Sequence, residues 1–296
     1  MRFSIVLQYL APQKTLSRIV RAATRWTWRP WKNFLIDRVM RAYAVDMTEA
    51  AQPDPYAFLS FNDFFTRGLR KNARLAEGDA GTIVSPADGR VSQIGRTEGG
   101  RIVQAKGRSY TVAELLADPA AAARYRDGGF ATIYLSPRDY HRVHVPLDGE
   151  LVESVHVPGR LFSVAPDPVA DIPNLFARNE RLVCHFEGPR GPFVVVMVGA
   201  ILVSGITTVW GGQLVPPYAR GIVRRDWRGW GVRLARGEEM ARFEMGSTVI
   251  VLTPSGHFDP ALHPESVVRV GQRLGHLSPD SDQGTIIGHR GNGEPV

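Results

Sequence analysis

Asp88, His141, His144 and Ser247 are the side-chain types from which an oriented base and a nucleophile are assembled. Asp88 lies in Ser85-Pro86-Ala87-Asp88-Gly89, a short stretch in which Asp-Gly also suits a turn for backbone reasons alone. The histidines fall in PRDYHRVHVP (Pro137 to Pro146), whose ten residues hold two His, two Arg and one Asp, more than a solvated loop requires. Ser247 follows Gly246 at the head of Thr248-Val249-Ile250-Val251-Leu252. Glycine at such a place ordinarily marks a bulge or a close backbone approach. The order Asp, His, Ser is that of subtilisin-like hydrolases, although a triad is defined by geometry rather than by order. The GxSxG turn of an α/β-hydrolase nucleophile is absent. A metal site is the competing use of the histidines. Their spacing of three suits a helix face, but the valines and prolines around them favour strand or loop, where the rings diverge. HExxH is missing as well, so no metal is expected.

The elements that must position these groups read mostly as strands. Thr82 to Val84, Arg90 to Ile94, Arg101 to Gln104, Phe130 to Leu135, Arg142 to Val145, Leu151 to Val157, Leu182 to Phe186, Phe193 to Val198, Gly231 to Leu234 and Ser247 to Leu252 are β-forming runs, punctuated by Gly, Pro, Asp or Asn. A helix is expected at Thr111 to Leu116, where Thr111 and Glu114 have capping-box spacing, and another within Tyr56 to Leu69. The predicted class is α+β: a β-rich, mainly antiparallel core with peripheral helices and an amphipathic helical N-terminal arm. Strand–helix alternation, GxGxxG and GxxxxGK[ST] are all absent, which argues against a nucleotide cofactor. Residues 191–219 carry no charge, and Phe193 to Trp210 is long enough to cross a bilayer, yet ten of its eighteen residues are Val, Ile or Thr. Gly199 and Gly205 divide it into strand lengths, so no transmembrane helix is predicted.

The formal charge of +7 is unevenly placed. Residues 1–43 hold nine Lys or Arg against one acid, Asp37, a balance of +8, and the other 253 residues sum to −1. Leu16, Ile19, Val20 and Ala23 form one apolar stripe; after Pro30, residues Trp31, Phe34, Leu35, Val39, Ala42 and Tyr43 form a second. A basic, tryptophan-rich amphipathic arm of this kind suits an interfacial membrane anchor. The alternative is a helix pair packed on the body with its charges solvated. Nucleic-acid binding lacks any supporting motif. The single cysteine, Cys184, excludes an internal disulfide and fits a reducing compartment. The N-terminus lacks a signal-peptidase pattern and is read as retained, and residues 278–296 read as a flexible tail.

Taken in order, SPADGRVSQIG, QAKGRSYTVAELL, YLSPRDYHRVHVP, VPGRLFSV, NLFARNERLV and MGSTVIVL resemble the bacterial phosphatidylserine decarboxylases. The likeness runs from the arm to about Leu277. Met245 stands where that family most often has leucine. The resemblance implies that the chain cuts itself between Gly246 and Ser247, giving chains 1–246 and 247–296 that stay associated, and that Ser247 becomes a covalent pyruvoyl group. It implies that Gly246 holds a strained backbone with its carbonyl open to the serine hydroxyl. It further implies that Asp88 orients His144, that His144 takes the Ser247 proton, and that His141 contacts substrate. The pyruvoyl group would then form a Schiff base with phosphatidylserine, which loses CO2 to give phosphatidylethanolamine. The arm (1–43) would hold the catalytic domain (44–277) on an anionic membrane, as a peripheral protein of the cytoplasmic face, and processed protomers would pair as a homodimer. Two other readings stand beside this one: a β-rich lipid-surface binding protein whose Gly-Ser is only a bulge, and a Ser/His/Asp hydrolase.

Overall fold

The computed structural model describes residues 3–201, 205–218, 220–255 and 257–278. Of the tail predicted from residue 278 onward, all but Ser278 lies outside the described residues.

One large antiparallel sheet carries the core. Its strands run in the order Val223–Asp226, Gly149–Val157, Arg181–Gly188, Gly191–Val198, Ser247–Ser255, Gly128–Leu135, Gly89–Arg96 and Val267–Val268, and Arg233–Leu234 adds to Gly149–Val157. The Ser247–Ser255 strand is therefore interior. Ser247 opposes Leu135 on one side, and Thr248 opposes Val198 and Tyr134 on its two sides. Val249, Ile250 and Leu252 are wholly buried, as are Val194, Val195 and Val196 on the next strand. Burial on both faces explains why these segments read as continuous apolar runs instead of alternating ones.

A second, smaller antiparallel sheet orders Gly212–Val215, Gly205–Thr208, Glu239–Glu244 and Arg142–His144. The chain passes from the end of Glu239–Glu244 through Met245 and Gly246 into the central strand of the large sheet. The scissile dipeptide suggested by the sequence thus sits at the junction of the two sheets. The apolar run 193–210 resolves into parts of Gly191–Val198 and Gly205–Thr208, with residues 202–204 outside the description. No described helix is long and apolar enough to cross a membrane.

The arm forms three helices, α1 (Phe3–Leu10), α2 (Gln13–Arg25) and α3 (Arg29–Tyr43). Pro30 falls in the first turn of α3, a position where its missing N–H costs nothing. Beyond it a short helix, α4 (Phe61–Phe65), starts from Ser60, whose hydroxyl accepts the Asp63 N–H. Phe61, Phe64 and Phe65 are buried with Ile36 of α3 and Val45 in a cluster of their own, and Met245 packs against it. The predicted helix after Thr111 is present with both capping-box bonds, but the Tyr56 to Leu69 helix shrinks to α4 and one 3-10 turn. The predicted Gly231 to Leu234 strand is only Arg233–Leu234.

Candidate active site

Ser247 is completely buried, and its Oγ has no hydrogen-bond partner. An unmet buried hydroxyl costs about 1–3 kcal/mol, a cost that a purely structural strand has no reason to carry. Directly upstream, Met245 has φ 83°, a region that side-chain-bearing residues avoid. The strain expected at Gly246 therefore resides one residue earlier, and Gly246 contributes space instead. A Cβ built on Gly246 would meet nothing within 4 Å. The side chain of Met245 is what fixes the unusual conformation, because it is anchored in the Phe61, Phe64 and Phe65 cluster.

His141 belongs to the same neighbourhood. Its carbonyl accepts the Phe243 N–H at 2.9 Å, and its ring centroid lies 4.1 Å from that of Phe65. Nδ1 is 2.7 Å from the Asp139 carbonyl oxygen, and since a carbonyl only accepts, Nδ1 carries the hydrogen. Nε2 is left as a bare lone pair, buried and without a partner. Burial, reinforced by the Arg67 charge against the Asp139 hydrogen bond, lowers the His141 pKa to about 3. The imidazole is neutral at any physiological pH.

His144 and Asp88 form an adjoining group with Tyr140. His144 Nδ1 donates to the Gly237 carbonyl at 2.8 Å, so Nε2 is the basic nitrogen, and it accepts from the Tyr140 hydroxyl at 3.0 Å. Burial lowers the His144 pKa, opposed in turn by the Gly237 hydrogen bond, Glu239 and Asp88. Burial also raises the Tyr140 pKa, which keeps the phenol protonated and able to donate. Asp88 reaches His144 only through space. Its Oδ2 accepts from Arg74 Nη2 at 3.0 Å and its Oδ1 from the Val270 N–H at 2.7 Å. The expected chain of direct bonds, Asp88 to His144 to Ser247, is not present: both ring nitrogens of His144 are occupied elsewhere.

The arm also enters the site. Glu244, two residues before Gly246, is 1% exposed and receives Arg21 and Arg25 from α2 as well as the Thr207 hydroxyl at 3.1 Å. Arg21 Nη1 lies 2.7 Å from Glu244 Oε2. A Cβ on Gly205 would stand 2.6 Å from that same oxygen, so only glycine leaves room for the pair. Lys14 likewise meets the buried Glu180 at 3.1 Å, and Lys32 is buried against the carbonyls of Tyr56 and Phe58. The side of α2 that packs on the body is therefore polar, with Gln13, Ser17 and Thr24 buried. Its apolar stripe faces out: Leu16 and Ile19 are exposed, as are Leu7, Leu10, Trp26, Trp28 and Phe34 elsewhere in the arm. This reverses the sequence-based picture of an arm whose charges meet the exterior.

Tyr140, Glu244, Arg21 and Arg25 were given no individual role by the sequence. Glu244 did carry a signal, being a lone acid in an otherwise apolar run directly ahead of Gly246-Ser247. The described residues contain no group of three or more His, Cys, Asp or Glu placed to hold a metal ion.

The family model for phosphatidylserine decarboxylase matches residues 61–276, and a second model, described as PSD, matches residues 3–44. A phosphatidylserine decarboxylase proenzyme of Xanthomonas axonopodis pv. citri (strain 306) is 56% identical over 270 residues, covering 90% of this chain and 96% of the relative. One of Stenotrophomonas maltophilia (strain R551-3) is 54% identical over 279 residues, 94% of this chain and 100% of the relative.

Proposed function

The chain belongs to the phosphatidylserine decarboxylase family, and on that premise we propose that it is made as a proenzyme, cuts itself at Gly246-Ser247, and then decarboxylates phosphatidylserine to phosphatidylethanolamine. One observation carries the site assignment: a fully buried, unpartnered Ser247 hydroxyl that follows, after one open glycine, a methionine held at positive φ.

In the cleavage, Ser247 Oγ attacks the Gly246 carbonyl carbon, the C–N bond breaks, and the backbone passes to an ester. Loss of the Ser247 α-hydrogen then expels the Gly246 carboxylate, and hydrolysis of the resulting dehydroalanine releases ammonia and leaves pyruvoyl at the head of chain 247–296. His144 is the base for the serine proton. Its Nε2 lone pair and its lowered pKa keep it unprotonated at neutral pH. Tyr140 holds that nitrogen in the described state and must yield it to the serine. Asp88 acts on His144 by charge, favouring the imidazolium that forms. The two chains stay together because Ser247–Ser255 is hydrogen-bonded on both sides within the large sheet.

The surroundings of residue 247 fit a small carbonyl group, being dry, lacking any committed hydrogen bond to the Ser247 oxygen, and open beside Gly246. A pyruvoyl group supplies an electrophilic carbonyl for the substrate amine and an electron sink as CO2 departs. His141 Nε2, an acceptor with no protein donor, suits contact with the substrate's N–H. The outward apolar face of the arm supports docking on a membrane surface, with the catalytic body (44–277) carried beneath it. The bulge-only alternative has no account of the matched family or of the unmet Ser247 hydroxyl.

The test is release of CO2 from carboxyl-labelled phosphatidylserine in mixed micelles. Wild-type protein should release it, and Ser247→Ala should not. Equal release from both would overturn the assignment of Ser247.

A further inference from the structure

Arg67 follows α4 directly and is only 5% exposed. Its guanidinium lies over the Phe64 ring, 5.7 Å from the centroid, and donates a single hydrogen bond to protein, from Nη2 to the Arg138 carbonyl at 3.2 Å. The neighbouring carboxylates are committed elsewhere. Glu49 pairs with Arg74 and Arg269, Asp88 with Arg74, and Asp139 with Arg138 and Ser136, while Asp46 accepts from the Thr48 N–H. Among the described residues Arg67 has no ion-pair partner. A guanidinium carries five donors in a fixed fork suited to phosphate and carboxylate oxygens, and burying one without an anion is costly. The cost points to an absent anion.

There is room for it. Arg67 lines an open cavity of about 210 Å³, shared with Arg74, Asp88, Arg138, Tyr140 and Arg269. That volume is below the roughly 300–1,000 Å³ of pockets that take drug-sized ligands, so it admits a small polar group and leaves long apolar chains outside. Its position suits the chemistry. Gly89 lines the cavity and begins a strand separated from Ser247–Ser255 only by Gly128–Leu135. Two strand spacings put Gly89 about 10 Å from Ser247. The amine and phosphorus of a phosphoserine headgroup are about 5 Å apart by covalent geometry, and a guanidinium–phosphate contact adds about 3 Å. Arg67 also stands close enough to His141 for its charge to be felt there.

We propose that this cavity seats the phosphodiester of the lipid headgroup and that Arg67 is the residue that binds it. The proposal rests on the phosphatidylserine reading and names where that substrate's anionic group is held.

The test begins with titration calorimetry on full-length Ser247→Ala protein, which needs no pyruvoyl group, using glycerophospho-L-serine and, separately, inorganic phosphate. Glycerophosphoserine should bind more tightly than phosphate, and adding Arg67→Met should weaken it roughly 10- to 100-fold, the range for losing a charged hydrogen-bond partner. In self-cleaved enzyme Arg67→Met should raise KM for phosphatidylserine by a similar factor with a much smaller change in kcat. Arg67→Lys should recover only part of the loss, as a point charge without the fork. Undiminished binding in Arg67→Met, or phosphate bound as tightly as glycerophosphoserine with KM unaltered, overturns the proposal. Should Arg67→Met not fold, phenylglyoxal modification of the Ser247→Ala protein decides: glycerophosphoserine must shield Arg67, and labelling without protection overturns the assignment. A protein that binds glycerophosphoserine through Arg67 but releases no CO2 would instead sink the decarboxylase reading and leave the anion site standing.

Discussion

Arg21 Nη1 lies 2.7 Å from Glu244 Oε2, a contact that fastens the N-terminal arm to the strand end from which the chain turns, two residues later, into Gly246 and Ser247. With Arg25 on the other oxygen and Met245 packed among Phe65 and the residues of α3, the arm buttresses the cleavage site from two directions.

Replacing both arginines, as Arg21→Met with Arg25→Met, strands a buried carboxylate. Such losses cost about 3–5 kcal/mol, to be read as a lower midpoint in urea unfolding of the Ser247→Ala background. In the Ser247 background self-cleavage should slow as well. Unchanged stability would mean that Glu244 is held by other groups.

Tyr140 and Asp88 should move the pH dependence of self-cleavage in opposite directions. The Tyr140 hydroxyl donates to His144 Nε2 and so favours the neutral ring; Tyr140→Phe should raise the pH at which the rate is half-maximal. Asp88 raises the His144 pKa, so Asp88→Asn should lower that pH and slow the plateau rate. The readout is rapid-quench electrophoresis across a pH series. Shifts of the same sign in both variants would remove His144 from the role of base.

The proenzyme should lose stability in mild acid. His141 has a folded pKa of about 3 against an ordinary 6.5, so the unfolded chain binds the extra proton between those values. The stabilisation is complete above about pH 6.5 and is lost as pH falls toward 3. His144 and His185 are lowered by burial and add in the same direction. Thermal unfolding of Ser247→Ala protein from pH 7 to 4 should show a falling Tm, with a shallower fall for His141→Leu. Equal slopes would indicate that His141 is not buried in its neutral form.

Vesicle binding should depend on apolar side chains more than on salt. Arg21, Arg25, Lys14 and Lys32 are spent on the protein itself, whereas Leu10, Ile19, Trp26 and Phe34 face outward. Raising salt from about 0.1 to 0.5 M, which shortens the screening length, should release little protein in flotation assays. Leu10→Ser with Ile19→Ser and Trp26→Ser should release most of it. The opposite pattern would restore a charge-driven anchor.

Much of this was legible in the residues. The run Thr248 to Leu252 announced an interior strand because both its faces are apolar, and the Thr111 and Glu114 spacing announced a helix start that the structure contains. Short exposed strands such as Val223–Asp226 were not, since every residue in it faces solvent and no pattern of burial marks it. The same limit applied to the site. Residue types pointed to Asp88, His141, His144 and Ser247, but the partners that tune them, Tyr140, Gly237, Arg74 and Phe65, are fixed by tertiary contacts between distant segments. The arm misled for a related reason. Helical periodicity separates an apolar from a charged face but cannot say which one the body will cover, and here buried Glu180 and Glu244 claim the charged one.

The most direct measurement is the intact mass of the purified, denatured protein beside a Ser247→Ala control. The account predicts two wild-type chains divided after Gly246, the smaller one roughly 17 mass units below an unmodified 247–296 peptide, as conversion of an N-terminal serine to pyruvoyl requires, and a single uncut control. A single full-length wild-type chain, or a 247–296 chain that still begins with an intact serine, would contradict it.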